Sequence, residues 1–450
     1  MRAVLLLLLL PSLAAAQLAV TPLAPIALPV GEDAGPQAIT LVDISGDGAV
    51  DLLAIDREND ALRVLLGRGD GSFDAPVVYP LEGTPTAVTA ADFASPFASE
   101  TIGDIDGRVD ILVAHEDGFA ELLLGRGDGS FEPPEQDFTD VLDSLELIGV
   151  AVHDLDGNGR LDLVLLDFFE EVYFLCNEAG SFAPCATDLV CTDGFGAAAL
   201  ALGDVDGDGN VDVAVASRDT ADVRIIAGLG GGRFDAEAVT ALAVTVDAAQ
   251  APLAVAAADL DGAAGDELAV GLFGSEPRSL ARVAFAADAV VIDHSVGGAG
   301  VLAVATADLS GDGAVDALLA RDGRGGLAVA AGDGAGGFAA AAPPAGGEGI
   351  GASRAVVVAD IDGDGRPDVA VLSLAGDAVT VALTNAAPAC VGDCNGDGAV
   401  SINELIGGVN IAIGSQPLSG CPAFDGNGSG TVTIDELVGA VRAALEACPR

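Results

Sequence analysis

Asp204-Val205-Asp206-Gly207-Asp208-Gly209-Asn210-Val211-Asp212 carries acidic side chains at its first, third, fifth and ninth positions, with glycines between them. Glycine reaches the backbone angles that a very tight turn needs, so four carboxylates can converge on one point. That is a donor set for a hard cation. Calcium takes roughly six to eight oxygens at about 2.3–2.6 Å, and such a turn supplies most of them, with a backbone carbonyl near the seventh position as an expected addition.

The loop recurs through most of the chain. Copies open at Asp43 (DISGDGAVD), Asp154 (DLDGNGRLD), Asp308 (DLSGDGAVD) and Asp360 (DIDGDGRPD), with a degraded copy at Asp259 (DLDGAAGDE). A further copy is split: Asp92 opens it, about ten extra residues intervene, and Asp104, Asp106 and Asp110 fill the later positions. Seven starts, 49 to 62 residues apart, therefore define seven units. The expected Ca2+ ligands are Asp43, Ser45, Asp47 and Asp51; Asp92, Asp104, Asp106 and Asp110; Asp154, Asp156, Asn158 and Asp162; and Asp204, Asp206, Asp208 and Asp212. The later units add Asp259, Asp261 and Glu267; Asp308, Ser310, Asp312 and Asp316; and Asp360, Asp362, Asp364 and Asp368. Ser45 and Ser310 are weaker ligands than Asp, and Ala263 removes one ligand from the degraded loop.

Residues 1–16, MRAVLLLLLLPSLAAA, have one arginine, a short leucine run and a small-residue end, the layout of a secretory signal peptide. The apolar run is too short for a membrane span. Export from a bacterial cell is the expectation. The chain has 69 acidic and 18 basic residues, a formal charge of −51, and every basic residue is arginine. Nucleic acid and anionic membrane surfaces are poor partners for such a surface, so no nucleic acid and no membrane span is expected. Much of the acid sits in the repeated loops, where calcium would offset it, and without metal the like charges should repel.

Each unit reads as four short strands, exemplified by Val88–Ala91 before a loop, Val211–Ala216 after one, Arg63–Gly67 ending in a Gly-rich turn, and Ala75–Pro80. Strands of about five residues at regular spacing argue for an all-β array, and seven four-stranded units suit a closed β-propeller. The last unit lacks its fourth strand. The stretch around Ile26–Val30 resembles the fourth strands of other units and is expected to close the ring, leaving no free edge.

The DxDGDGxxD loops, together with Leu65-Leu66-Gly67-Arg68-Gly69-Asp70-Gly71-Ser72-Phe73 and Leu123-Leu124-Gly125-Arg126-Gly127-Asp128-Gly129-Ser130-Phe131, resemble the FG-GAP/VCBS repeats of seven-bladed propellers, the architecture at the head of integrin α subunits. The resemblance implies a calcium-binding propeller over 17–386. The Arg-Gly-Asp tripeptides at Arg68–Asp70 and Arg126–Asp128 read as parts of the turn GxGDGSF rather than as adhesion signals, because the turn itself demands Gly and Asp.

A different module fills 387–450. Asp393, Asn395, Asp397, Ser401 and Glu404 occupy positions 1, 3, 5, 9 and 12 of an EF-hand loop with glycine at position 6, and Asp425, Asn427, Ser429, Thr433 and Glu436 repeat it 32 residues on. Each loop runs into an apolar helix-like stretch, Leu405–Ile413 and Leu437–Leu445. The pair is similar to type I dockerins, which implies a cohesin-like partner, although Glu404 and Glu436 stand where dockerins usually carry Asp. Cys390, Cys394, Cys421 and Cys448 offer two disulfides in three pairings, while Cys176, Cys185 and Cys191 leave one cysteine over.

No catalytic constellation is visible. His115, His153 and His294 fall in different units, and no serine sits in a nucleophile-elbow motif. The expected function is a secreted calcium-binding propeller presenting a surface to a protein or carbohydrate, with a calcium-dependent docking domain. A dockerin-borne polysaccharide-degrading enzyme is the alternative, and nothing selects a carboxylate pair for it.

Overall fold

The computed structural model describes residues 20–22, 26–27 and 36–384, apart from short stretches of which 94–105, 138–145 and 345–349 are the longest, together with part of 400–444. Contacts divide the chain into two compact units, Val20–Thr384 and a second that combines Met1–Ala19 with Asn385–Arg450. The predicted Asp104, Asp393, Asn395, Asp397, Asp425, Asn427, Ser429 and Glu436, and the signal peptide, lie outside the described residues.

The larger unit holds seven antiparallel sheets. Blade 1 runs Pro36–Val42, Asp51–Asp56, Ala61–Leu65 and Val77–Pro80, each strand pairing with the next. Blades 2 to 7 begin at Pro85–Ala91, Leu147–His153, Ala197–Gly203, Ala251–Ala258, Val301–Ala307 and Ser353–Ala359. These seven first strands contact one another in sequence, and Ser353–Ala359 contacts Pro36–Val42, so the ring is closed. The chain is a seven-bladed, all-β propeller.

Burial explains the sequence pattern of each blade. The second strand is packed on both faces, so Leu52, Leu53, Ala54 and Ile55 are all fully buried and the strand reads as a continuous apolar run. The core lies between blades. Ile44, Leu53, Ile55 and Val64 of blade 1 pack with Ile111, Val113 and Phe131 of blade 2, and Ile39, Leu52 and Leu65 pack with Ala370, Leu372 and Val381 of blade 7. The layer between blades 5 and 6 is lighter, being built from Ala269, Ala317, Ala328 and Ala330 with Leu280, Val301 and Leu319.

The outer strand of blade 7 comes from the other end of the chain. Val20–Pro22 and Ile26–Ala27 both pair with Ala378–Thr384, Val20 facing Thr384 and Ile26 facing Val379. This joins the two ends of the propeller in one sheet and removes an edge. Blade 6 departs from the four-strand expectation. Its sheet has three strands, and the fourth is reduced to a bridge between Val329 and Ala342. The segment Ala339-Ala340-Ala341-Ala342 has no β-branched or aromatic side chain to pack on the third strand.

Candidate metal loops

Each repeated loop joins the first and second strands of its blade. Its ninth residue is the first residue of the second strand and acts as a latch. In blade 1, Asp51 Oδ2 accepts from the N–H groups of Ile44 (2.9 Å) and Ser45 (3.2 Å), and Oδ1 accepts from Gly67 N–H (2.7 Å) at the end of the third strand. Asp212 repeats this with Val205, Asp206 and Gly228, Asp316 with Leu309, Ser310 and Gly332, and Asp368 with Ile361, Asp362 and Thr384. Asp162 does so with Leu155, Asp156 and Asn177. Burial pushes these carboxyls up, Asp212 to about 6 and Asp110 to about 7. The ninth residue therefore ties the loop to two strands before any metal is considered, a role that repeat spacing alone did not reveal.

The split loop of blade 2 reassembles around its insertion. Gly107 N–H donates to Asp92 Oδ2 at 2.8 Å, and Phe93 and Gly125 N–H groups donate to Asp110. Asp106 Oδ1 accepts from Arg108 N–H, as Asp47 Oδ1 accepts from Ala49 N–H. Asp92, Asp106 and Asp110 thus make the same loop hydrogen bonds as their counterparts in the unsplit loops.

The first position separates the loops into two kinds. Asp43, Asp154 and Asp308 have both carboxylate oxygens engaged by loop N–H groups, for instance Asp43 Oδ1 with Gly46 (2.7 Å) and Oδ2 with Gly48 (2.8 Å). These are the loops with Ser or Asn among their ligands. In the fully acidic loops, Asp92, Asp204 and Asp360 each bond through Oδ2 alone, to Gly107, Gly209 and Gly365. Their Oδ1 atoms are buried without any hydrogen-bond partner. A buried, unpaired carboxylate oxygen is costly unless a cation meets it. In blades 4 and 7, carboxylate oxygens of Asp204, Asp206 and Asp208, and of Asp360, Asp362 and Asp368, lie within 4.8 Å of one another. The donors are all oxygen, the set that suits a hard cation such as calcium. A grouping of Asp156 and Asp162 with Cys176 differs, because Cys176 is bonded to Cys185 and offers no thiolate.

Blade 5 differs again. Asp259, Asp261 and Glu267 come together, but Ala263 contributes no ligand and Arg282 Nη2 lies 3.1 Å from Asp261 Oδ2 and 3.3 Å from Glu267 Oε1. Nothing local in the loop sequence pointed to that arginine, which comes from the third strand.

The Arg-Gly-Asp segments form turns. Asp70 Oδ1 accepts from Ser72 N–H and hydroxyl, which holds the Asp70 carboxyl below its usual range, and Gly69 and Gly71 take φ of +69° and +83°. Arg68 pairs with Asp74 inside the same turn. Matching turns in blades 4 and 6 close through Gly228–Phe234 and Gly332–Phe338 without the tripeptide. A cavity of about 210 Å³ opens between loop 3 and the blade 4 turn, lined by His153, Asp154, Asp156, Asn210, Arg233 and Phe234 among others. His153 thus faces a recess rather than a core. His115 is buried, stacked on Phe119, with its Nε2 3.3 Å from Glu121.

In the second unit, helix Ile402–Ala412 is capped by Ser401, and Glu404 returns the favour to the Ser401 N–H at 2.7 Å. Phe424 is fully buried with Ile411, Cys421 and Ala440 around it. Cys421 is disulfide-bonded, and in the propeller Cys176 pairs with Cys185, leaving Cys191 as the third cysteine of that cluster. Among the described residues no helix is long and apolar enough to cross a membrane.

The comparisons agree with this architecture. The family model described as an FG-GAP-like repeat matches residues 26–94, 104–165, 154–215, 204–263 and 308–371. The chain belongs to that family. The stretch 264–307, which contains Arg282, falls between the matches. A search of the curated proteins finds no match. Among solved structures, the chain is similar to the BP39L lectin from Burkholderia pseudomallei, at 17% identity and a TM-score of 0.52, covering 78% of this chain and 96% of that one. It is also similar to BBS1N, solved in complex with ARL6DN, at 13% identity and a TM-score of 0.51, covering 82% and 98%.

Proposed function

We propose that this chain is an exported, calcium-stabilised propeller that acts as a binding module for a protein or a carbohydrate, with a C-terminal EF-hand pair serving as a calcium-dependent docking domain for a cohesin-like partner. The observation that carries the calcium reading is the set of buried, partnerless oxygens on Asp92, Asp204 and Asp360, found in the three fully acidic loops. Bound calcium would supply the missing partner and offset the charge that these loops concentrate. In the C-terminal unit, Ser401 and Glu404 cap a helix at positions 9 and 12 of the first loop, the arrangement in which an EF-hand loop enters its second helix.

Binding is favoured over hydrolysis because the seven first strands, which form the inner ring, carry no Asp or Glu. A hydrolytic pair would need two carboxylates facing one another across a substrate. The recess beside His153, mixed in polarity and open at the loop face, is a place for a small polar group of a ligand. A lectin and a protein solved with a protein partner share the fold, so both ligand classes remain in the proposal.

The test is a calcium titration of the mature protein, with bound metal counted by calorimetry and thermal stability measured with and without chelator. About eight bound ions and a large chelator-induced loss of stability are expected, since a ligand held only by the folded state stabilises it. Two or fewer ions with unchanged stability would overturn the calcium reading of the propeller. Glycan and protein arrays probed in calcium and in chelator then separate the two ligand classes.

A further inference from the structure

We infer that in loop 5 the Arg282 guanidinium takes the place of a cation beside Asp261 and Glu267, so that blade 5 closes its loop without calcium. The inference rests on the calcium reading of the other loops and says which member of the series is exempt.

The cross-strand register shows how unusual this arginine is. Arg282 lies opposite Ala269, the third residue of its second strand counting from Glu267. The residues in the same register of the other blades are Val64, Leu122, Phe174, Ile225, Val329 and Val381. All six are apolar. Arginine appears in the one blade whose loop has lost its fifth-position ligand to Ala263. Both changes act on the same spot, because the guanidinium contacts Asp261 of the loop and Glu267 at its ninth position. A permanent planar cation that donates to two carboxylates offers what a divalent ion would, and it occupies the room that an ion would need.

The neighbouring blade is shaped to receive it. Gly336, at φ +82° in the blade 6 turn, would place a Cβ 2.3 Å from Arg282 Nη2, so the glycine lets the turn close over the guanidinium without displacing it. Gly336 N–H also donates to Leu260 O, the second residue of loop 5. On its other side loop 5 grips loop 4: Asp266 N–H donates to Asp204 O at 2.6 Å, and Asp204 N–H donates to Asp266 Oδ2 at 3.0 Å. A metal-independent loop therefore braces both neighbours.

The experiment uses the full chain and calcium alone as probe. Arg282→Val with Ala263→Asp restores the repeat pattern of the other blades, and bound calcium is counted by equilibrium dialysis. The double variant should bind about one more ion per chain than the parent. Arg282→Val by itself should lower the melting temperature in excess chelator, where the parent keeps its internal cation, and Arg282→Lys should retain part of that stability with the parent's ion count. Equal ion counts for parent and double variant, an extra ion in Arg282→Lys, or an unchanged melting temperature of Arg282→Val in chelator would each overturn the inference. Should Arg282→Val fail to fold, the ion count of Arg282→Lys decides. A parent that binds no calcium in its propeller would overturn the proposed function instead, and the chelator comparison would still decide the role of Arg282.

Discussion

Blades 4 and 5 are neighbours in the ring, and their loops, DVDGDGNVD and DLDGAAGDE, share Asp, Asp and Gly at the first, third and fourth positions and an acid at the ninth. In blade 4 three carboxylates gather and one buried oxygen of Asp204 has no protein partner. In blade 5 the gathered carboxylates face a guanidinium. The ladder that positions the loop is shared, since Val205 N–H reaches Asp212 just as Leu260 N–H reaches Glu267. What differs is the source of positive charge, and the difference shows that the latch and the cation are separable parts of the repeat. The latch is hydrogen bonding, and its bond from the second loop residue's N–H to the ninth-position carboxylate is made in every blade. The cation is local electrostatics and is free to change source.

The strongest way to break this comparison is to remove a latch. Asp212→Ala leaves the N–H groups of Val205, Asp206 and Gly228 without their acceptor, and a loss of about 4 kcal/mol is expected in urea unfolding with or without calcium. A loss under about 1 kcal/mol would mean that the latch is not what holds the loop. Glycine substitutions come next. Gly336→Ala should cost about 3 kcal/mol, because strain at φ +82° is joined by a clash with Arg282, whereas Gly209→Ala, at φ +87° with open space around it, should cost about 1 kcal/mol. Equal costs would show that the guanidinium yields freely.

Removing a first-position carboxylate tests the cation itself. Asp204→Ala is expected to lose about one bound ion and about 2 kcal/mol of stability in calcium, with little change in chelator, while Asp259→Ala should leave the ion count unchanged. Loss of an ion from both would make the two blades alike. The smallest effect lies away from the loops. Asp167, at the far end of the second strand of blade 3, is pushed to about 6 by burial, with Glu171 and Glu146 adding repulsion. Its folded-state value is above its unfolded one, so folding takes up a proton: stability falls as pH rises from about 4 to about 6 and stays lower above that. Asp167→Asn should remove that slope in chelator and raise stability by about 1 kcal/mol at pH 7, measured by thermal melts across pH.

Much of the propeller was legible because its signals are local and repeated. Seven acidic loops at a steady period gave the blade count, and the apolar runs after them, such as Leu52–Ile55, gave the buried second strands. The N-terminal closing strand could be anticipated because the last unit was one strand short. The missing outer strand of blade 6 was less legible, since Ala339–Ala342 neither forbids a strand nor packs one.

The sequence by itself determined where the carboxylates stand and how often they recur, because those depend on spacing along the chain and on glycines that permit the turn. Only the tertiary structure decided what each carboxylate meets. Whether the second oxygen of a first-position Asp finds an N–H, as in Asp43, or finds none, as in Asp204, depends on the path of the loop backbone. That Arg282 reaches Asp261 depends on strand register and on Gly336 of another blade. Partners separated in the chain are brought together by strand pairing and by stacking of blades, and electrostatics acts on the distances that result.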